Sequence, residues 1–461
     1  MVQILYMKIQ TLLIAFLLLT NYIFGQNKFS PKELTQDLDS LVKNIEDIHP
    51  NPYYKYTKNK FYKDIETAKS QLRKSMDYLD FYFIAQRLVA KLEDGHIDIE
   101  MPFDHTDANN YVLFPFEVNL STSSPFMVIV NHKSIKYSDI LAGSEITSVN
   151  GIPSEKIASD IISLVTGETK EFRAKYGAKH LDFYINELYP KQKSLKISYK
   201  INRQHKTIKV IQETKTQKNV SAIPHLPIVK PNRPFQLKIL KKGTALISLR
   251  DFEDMEKFQF FADSAFAELN ALKTKNLIID LRDNLGGDSD VGDYLLQYLL
   301  NHPFSQYSQV LEKNSRLLKN RLIRHNLGKV LSAQDSLLLS KKNGTLDTII
   351  NGTDTPLDLS NRFFGKVSLL INSQTFSSAA DFAQAFAYYH RGEVIGEESG
   401  GQIMSFGDIV PATLTVTGMP FVVSSKLYMN IGAKAGDWHG VIPSLTAKSE
   451  DALKKALFLL N

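Results

Sequence analysis

Two adjacent serines stand where an apolar run meets a helix-like segment. The stretch INSQTFSSAADF, residues 371–382, overlaps the end of the apolar run KVSLLIN and leads into FAQAFAYY. Ser377 and Ser378 therefore lie at a predicted helix N-terminus, where unpaired N–H groups and the helix dipole would stabilise a developing oxyanion. Capping is the alternative, because Ser378 and Asp381 fit a capping pattern. Capping accounts for only one serine, which leaves the other as a candidate nucleophile.

Paired glycines follow a second apolar run. The segment NLIIDL (276–281) continues into RDNLGG, which ends in Gly286 and Gly287, and a helix-like stretch starts near residue 291. Glycines at such a junction let bare backbone N–H groups approach a ligand closely. An oxyanion hole needs such donors, although an ordinary tight turn between strand and helix is the alternative.

The elements around these two junctions predict an α/β domain. TALISL (244–249), NLIIDL and KVSLLIN are strand-like, and VGDYLLQYLL (291–300) is helical. Strands that alternate with helices indicate a largely parallel sheet with crossover connections. A segment with four prolines (221–234) precedes this region as a predicted linker, and a basic, partly amphipathic insertion lies at 305–360.

A small helical domain is predicted for residues 27–103. Ser30-Pro31-Lys32-Glu33 has the capping-box spacing with proline at the first helical position, and a helical apolar repeat follows. A second repeat from Phe81 to Leu92 ends at Asp94-Gly95-His96. This pattern places His96 just beyond the last helix of the domain.

Residues 110–212 are rich in short β-like runs. The strand EITSV ends in an Asn-Gly turn (145–151), and this stretch resembles the corresponding part of PDZ domains. PDZ domains bind extended peptides by strand addition at a sheet edge. LFPF stands where those domains carry Gly-Leu-Gly-Phe, so Phe114 and Phe116 are candidate substrate-binding residues. A β-rich spacer is the alternative interpretation.

Composition and the first residues limit the class of protein. The chain has 461 residues and no cysteine, which excludes disulfides, thiolate catalysis and cysteine-based zinc sites. Its net charge of +6 is spread along the sequence, which argues against nucleic acid as a partner. Residues 1–25 resemble a cleaved secretory signal peptide, with a retained anchor as the alternative. We expect a periplasmic or extracellular protein with no stable membrane span after signal removal.

Three motifs in order carry a family resemblance. LIIDLRDNLGG, then TFSSAADF, then GEVIGEESGG (392–401) is similar to the catalytic domain of the tail-specific, or carboxyl-terminal processing, serine peptidases. The resemblance covers roughly residues 235–450, and three ordered motifs are more specific than one. It implies a crotonase/ClpP-like α/β peptidase core over 235–461, preceded by a PDZ-like β-rich domain and an N-terminal helical domain. It implies no metal and no organic cofactor.

The resemblance also assigns roles to the residues at both junctions. Ser377 matches the family nucleophile. The backbone N–H of Ser378, with that of Gly286 or Gly287, matches the oxyanion hole.

The general base departs from the bacterial members of the family. Their lysine aligns with Gln402, which cannot accept a proton from a hydroxyl. The tricorn-like branch uses a histidine from the helical domain and an acidic residue before a Gly-Val-x-Pro turn. LEDGH and DWHGVIP match those motifs, so the resemblance implies His96 as base and Asp437 as acid, with His439 as a second-ranked base. The serine that precedes the histidine in that branch is Gly95 here.

The sequence thus predicts an exported serine endopeptidase with a Ser377–His96–Asp437 triad that acts on peptides or unfolded protein segments. The missing lysine and the altered serine motif leave an alternative, a catalytically inactive peptide-binding protein on the same scaffold. A structural envelope protein would leave the three motifs unexplained.

Overall fold

The computed structural model describes most of the chain. The predicted signal peptide and nearly all of the predicted linker lie outside the described residues. The described residues are 28–190, 192–211, 233–241, 243–350 and 352–460.

Three helices form the N-terminal part: α1 (Pro31–Ile48), α2 (Lys58–Gln71) and α3 (Tyr78–Val89). The predicted capping box of α1 is confirmed, since the Ser30 hydroxyl accepts from the Glu33 N–H and the Glu33 carboxylate accepts from the Ser30 N–H. The predicted helix before His96 is α3. Helix α2 was not singled out in the sequence, where its apolar positions are few.

The next region is an antiparallel sheet with three helices. Its strand order is β2-β3-β4-β6-β7, with β5 paired to β4, and the predicted Asn150-Gly151 turn has positive φ at both residues. The strands are β2 (Phe116–Leu120), β3 (Met127–His132), β4 (Glu145–Val149), β5 (Ile152–Pro153), β6 (Ser194–Ile201) and β7 (Gln204–Ile211). The helices are α4 (Ser154–Ile162), α5 (Lys170–Lys179) and α6 (Leu181–Glu187).

A largely parallel sheet forms the core of the predicted α/β domain, as expected from the sequence. Its order is β17-β14-β13-β10-β9-β8, and only β8 runs antiparallel to its neighbour. Helices α7, α8 and α11 pack on one face and α12 on the other, so both faces are covered. The strands are β8 (Phe235–Ile239), β9 (Thr244–Leu249), β10 (Asn276–Asp280), β13 (Lys366–Ile371), β14 (Glu393–Gly396) and β17 (Leu445–Thr446). The helices are α7 (Met255–Ala271), α8 (Ser289–Leu299), α11 (Ser378–Tyr388) and α12 (Ser449–Leu459).

A second sheet joins the N-terminal part to the core. Its order is β1-β16-β11-β12 with β15 on β16, and α9 and α10 lie between β11 and β12, within the basic insertion. Its strands are β1 (Asp98–Ile99), β11 (Tyr307–Lys313), β12 (Leu346–Ile350), β15 (Met404–Thr413) and β16 (Pro420–Asn430), and the two helices are α9 (Arg316–His325) and α10 (Ala333–Ser340).

The attachment of the N-terminal helices has two parts. Strand β1 pairs with β16 directly after His96. The buried carboxylate of Asp37 on α1 accepts from the N–H groups of Val416 and Thr417 at 3.0 and 2.7 Å. A single apolar core runs through the helices, the PDZ-like sheet and the ends of β15 and β16. These contacts fix His96 relative to the sheets that carry the C-terminal half of the chain.

Among the helices that the structure describes, none is both long enough and apolar enough to cross a membrane.

Candidate active site

The carboxyl ends of two neighbouring strands bring the two predicted junctions together. Strands β10 and β13 are parallel partners, so the segments that follow them leave the sheet at the same edge. A Cβ added to Gly286 would lie 2.8 Å from the Phe376 carbonyl oxygen and 2.8 Å from Ser377 Cβ. Glycine is therefore required at this close approach, where φ is +93°.

Ser377 sits on a strained turn between strand and helix. It precedes α11 with φ 50° and ψ −135°, a backbone conformation that costs about 1–3 kcal/mol in a residue other than glycine. Such a turn exposes a nucleophile in other hydrolases. The predicted Ser378–Asp381 cap is wrong, because Ser377 occupies the cap position without a side-chain capping bond. The Asp381 carboxylate instead accepts from Tyr307 and Asn430, each at 2.8 Å.

The structure brings His96 to Ser377. The Nε2 atom of His96 lies 3.1 Å from Ser377 Oγ, across 281 positions of sequence. His96 reaches this position because the 3₁₀ turn Ala90–Leu92 and a left-handed residue, Glu93, reverse the chain after α3. Its ring stacks on Phe376 and is 17% exposed, so the pair is sheltered but open to a substrate.

Asp94 is the ionised carboxylate beside His96. Its Oδ1 atom lies 3.6 Å from His96 Nδ1 and accepts from the His96 backbone N–H, while its Oδ2 atom accepts from His49 and Ser424 at 3.0 and 2.6 Å. The side chain is 1% exposed. Burial pushes the pKa of Asp94 upward, but the hydrogen bonds from His49 and His96 outweigh burial and hold this pKa well below its usual range.

His49 is a buried residue at the end of α1 that none of the sequence motifs includes. Its Nδ1 atom accepts from the Asn51 N–H at 3.0 Å, so its proton is assigned to Nε2, which donates to Asp94. Burial lowers the pKa of His49, which keeps the ring neutral. Lys313 donates to the carbonyl oxygens of Glu46 and His49 at 2.6 and 3.0 Å and so holds the end of α1.

A second carboxyl group near His96 is Glu168. It is 4% exposed, and neither of its oxygens has a hydrogen-bond partner within the described part of the chain. Burial raises the pKa of Glu168 to about 8, so it is mainly protonated at neutral pH. Atoms of Asp94, His96 and Glu168 lie within 4.8 Å of one another, a spacing that would also suit a metal ion. The hydrogen bond to Ser377 favours acid–base chemistry for the group.

The structure does not bring Asp437 to His96. Its carboxylate accepts from the Lys434 N–H at 2.8 Å, and among the described residues no hydrogen bond or ion pair joins it to the histidine. His439 follows on the same turn, where its Nδ1 lies 2.7 Å from the Gly440 carbonyl oxygen. Gln402 is buried and donates to the Trp438 carbonyl oxygen, which is a structural role for the amide at the family's lysine position.

Two of the three predicted oxyanion donors have no acceptor among the described residues. They are the backbone N–H groups of Ser378 and Gly287. Gly286 differs, because its N–H donates to Asn284 Oδ1 at 2.8 Å. Ser378 and Gly287 are therefore the available donors, and Gly286 provides the close approach.

Gly95 has a steric explanation. A Cβ at this position would lie 2.6 Å from Cζ of Phe376 and 3.4 Å from Oε2 of Glu168. The Phe376 ring thus fills the space that a serine side chain would need.

Phe114 and Phe116 are placed in the core of the PDZ-like region. Each is 1% exposed, and their rings pack edge to face with centroids 6.0 Å apart. This placement contradicts the prediction that the two side chains contact a substrate. The sequence LFPF is compatible with an exposed loop and with a buried segment, because it shows no alternation of apolar and polar residues that would distinguish them.

Comparisons with known proteins give a family match for part of the chain and similar folds among solved structures. Residues 243–411 match the family model of Peptidase family S41. The structure of mature CPAF has a similar fold, with a TM-score of 0.60 at 15% identity over 93% of this chain and 95% of that chain. A putative peptidase from Parabacteroides merdae shares 13% identity over 94% of this chain and 97% of that chain, with a TM-score of 0.47. Comparison with curated protein sequences gives no match.

The matched region contains β9, the glycine turn, Ser377 and the start of β15. The likeness to CPAF extends the shared fold over the helices and the PDZ-like region as well. The match over residues 243–411 confirms the resemblance to the processing peptidases, and the protein is a serine-type peptidase.

Proposed function

We propose that the protein is an exported endopeptidase that cleaves peptides or unfolded protein segments, with Ser377 as nucleophile and His96 as general base. The observation that carries this proposal is the 3.1 Å distance between Ser377 Oγ and His96 Nε2. The serine lies at the N-terminus of α11 on a strained turn, which is where an attacking hydroxyl is expected. The apolar segment at residues 11–20 supports export.

In the proposed reaction, His96 Nε2 accepts the hydroxyl proton as Ser377 Oγ attacks the scissile carbonyl carbon. His96 later donates that proton to the leaving amine, and water then hydrolyses the acyl-enzyme. Burial alone would lower the pKa of His96, but the negative charge of Asp94, 3.6 Å from His96 Nδ1, raises this pKa above its ordinary value. The imidazolium is therefore stabilised at the moment it forms.

Asp94 takes the role of the acid in this proposal. It is ionised, buried and 3.6 Å from His96 Nδ1, whereas Glu168 is mainly neutral at pH 7. The surroundings drive the two pKa values apart, so Asp94 is a carboxylate anion at neutral pH and Glu168 is a neutral carboxylic acid. The proposal keeps the Ser–His pair of the tricorn-like resemblance and replaces Asp437 with Asp94.

The oxyanion would form at the N-terminus of α11. The N–H groups of Ser378 and Gly287, which have no acceptor in the described part of the chain, are its proposed donors. The dipole of an 11-residue helix adds positive potential there. Loss of one such donor costs about 10²–10³-fold in kcat in other serine peptidases.

Peptides are the proposed substrates because the PDZ-like sheet offers an edge. Strand β2 ends that sheet, and an extended peptide can add beside an edge strand. The alternative is an inactive peptide-binding protein. It is suggested by Gln402, which stands where the bacterial processing peptidases have their lysine base. The pairing of Ser377 with His96 favours the enzyme.

Hydrolysis of an unstructured protein such as casein tests the proposal. We expect Ser377→Ala to remove hydrolysis and Ser378→Ala to retain a substantial part of it, because alanine supplies the same backbone N–H. An inactive Ser378→Ala variant together with an active Ser377→Ala variant would show that Ser378, not Ser377, is the nucleophile.

A further inference from the structure

A cavity of about 710 Å³ lies between α3, α5 and α6 and the segment that follows β1. Four tyrosine side chains form much of its wall: Tyr78 and Tyr82 from α3, Tyr176 from α5 and Tyr184 from α6. Ser377 and His96 are not among its lining residues. The proposed chemistry therefore does not account for it.

The charge of this cavity is acidic. Asp98, Glu100 and Asp104 line it, and no lysine or arginine does, in a chain that has 55 basic and 49 acidic residues. Burial lowers the pKa of the lining residue His180 to about 4, so this histidine adds no positive charge at neutral pH.

Asp98 is the most enclosed of the three carboxyl groups. It accepts from Gln86 at 2.7 Å and from Thr166 at 3.2 Å, and no ion pair joins it to a cation in the described part of the chain. Burial raises the pKa of Asp98 to about 6, so it is mainly ionised at neutral pH. A partly buried anion of this kind is stabilised by a cation from outside the chain.

Two further polar atoms at the cavity lack a hydrogen-bond partner among the residues that the structure describes. The Tyr82 hydroxyl and His180 Nδ1 are both buried and make no hydrogen bond to any described residue. Buried polar atoms are nearly always paired, so unpaired ones at a cavity wall indicate a ligand with polar groups of its own.

Aromatic faces around a carboxylate are the surroundings that bind an organic cation. We propose that this cavity is a subsite for the side chain of a lysine or arginine in the peptide substrate. Asp98 follows His96 by two residues and Thr166 precedes Glu168 by two, so the cavity wall and the catalytic site share the same two chain segments. The identity of the ligand as a substrate rests on the proposed peptidase function.

Peptide binding to the Ser377→Ala protein tests the subsite without hydrolysis. Two fluorescent unstructured peptides that differ only in lysine or acetyl-lysine are compared by fluorescence anisotropy. We expect the lysine peptide to bind about tenfold more tightly or better, from a charge-assisted contact together with cation–π contacts. Asp98→Asn should remove that preference, and the exposed control Glu66→Gln should keep it.

Equal affinity for the two peptides, or a preference that survives Asp98→Asn, would overturn the subsite. Thermal unfolding checks that Asp98→Asn is folded, and Tyr176→Leu is a second variant that should weaken the preference through the aromatic wall. Binding of free cadaverine is measured as a third test. If cadaverine binds in a way that depends on Asp98 and the two peptides bind equally, the cavity is a site for small amines instead. A lysine preference in a protein whose wild type shows no hydrolysis would count against the peptidase and leave the subsite standing.

Discussion

The two carboxyl groups near His96 differ because their surroundings differ. Asp94 accepts hydrogen bonds from two side chains and one backbone N–H, and these hold its pKa low despite burial. Glu168 is equally buried but has no hydrogen-bond partner among the described residues, so its pKa rises to about 8. Only Asp94 can therefore stabilise an imidazolium as an anion at neutral pH.

Asp94→Asn should lower kcat by about 10³–10⁴-fold, because the amide is uncharged and can present an N–H group to His96 Nδ1. The matched control is Asp437→Asn, which should stay close to the wild type since its carboxylate binds the Lys434 N–H on a separate turn. Steady-state peptide hydrolysis measures both variants. A severe defect in Asp437→Asn with a mild one in Asp94→Asn would restore Asp437 as the acid.

The pH profile reports on the same pair. His96 must be neutral to accept a proton, and its pKa is raised above the ordinary value of about 6.5. We expect kcat/KM to rise with pH through that raised pKa and to be lost as the pH falls through it. The residual kcat/KM of Asp94→Asn should rise with pH around a lower midpoint. An unchanged midpoint would show that Asp94 does not raise the pKa of His96.

At the scale of the helices and strands, the sequence predicted the features that depend on local residue patterns, namely strand bounds and the order of strands and helices. The bounds of EITSV and TALISL coincide with β4 and β9, and the parallel order of the core follows from alternating strands and helices. The contact of His49 with Asp94 was not predictable, because it spans 45 positions and depends on where α1 ends against β16. Asp437 came from a family resemblance, which carries no information about which carboxylate faces His96 in this chain.

Lys313 links the basic insertion to the end of α1. Lys313→Met keeps the apolar stem but removes the donor to the Glu46 and His49 carbonyl oxygens, so we expect a loss of about 1 kcal/mol in the free energy of unfolding. Because these bonds hold the residue that binds Asp94, kcat should also fall. Lys329→Met, at an exposed position of the same insertion, is the control. Chemical denaturation and hydrolysis of a short peptide measure the two effects, and equal behaviour of both variants would contradict this role.

Across the whole molecule, the PDZ-like region contacts the segment that leads to Ser377, the proposed nucleophile. The Phe172 ring stacks on Phe376 with centroids 4.5 Å apart, and its carbonyl oxygen accepts from Gln374 at 3.0 Å. Lys175 forms an ion pair with Glu397 at 2.6 Å. The region therefore supports the catalytic turn as well as offering a sheet edge for peptides.

This arrangement predicts how substrates of different length respond. Phe172→Ala should lower the turnover of short chromogenic peptides and of long unstructured proteins by similar factors, because the Phe376 side of the turn loses its support. Replacing residues 110–212 with a flexible linker should lower the turnover of both substrates for the same reason. The turnover of long substrates should fall further, because the sheet edge that binds them is lost. Parallel assays of both substrates test this, and an effect of Phe172→Ala on long substrates alone would limit the region to binding.

The most direct test of the central claim is the rate and position of labelling by a fluorophosphonate, with the modified residue identified by mass spectrometry. The pairing of Ser377 with His96 predicts one adduct per chain on Ser377, at least about 10²-fold slower labelling in His96→Ala, and near-normal labelling in Ser378→Ala. Absence of an adduct in the wild type, an adduct on Ser378, or unchanged labelling in His96→Ala would contradict the claim.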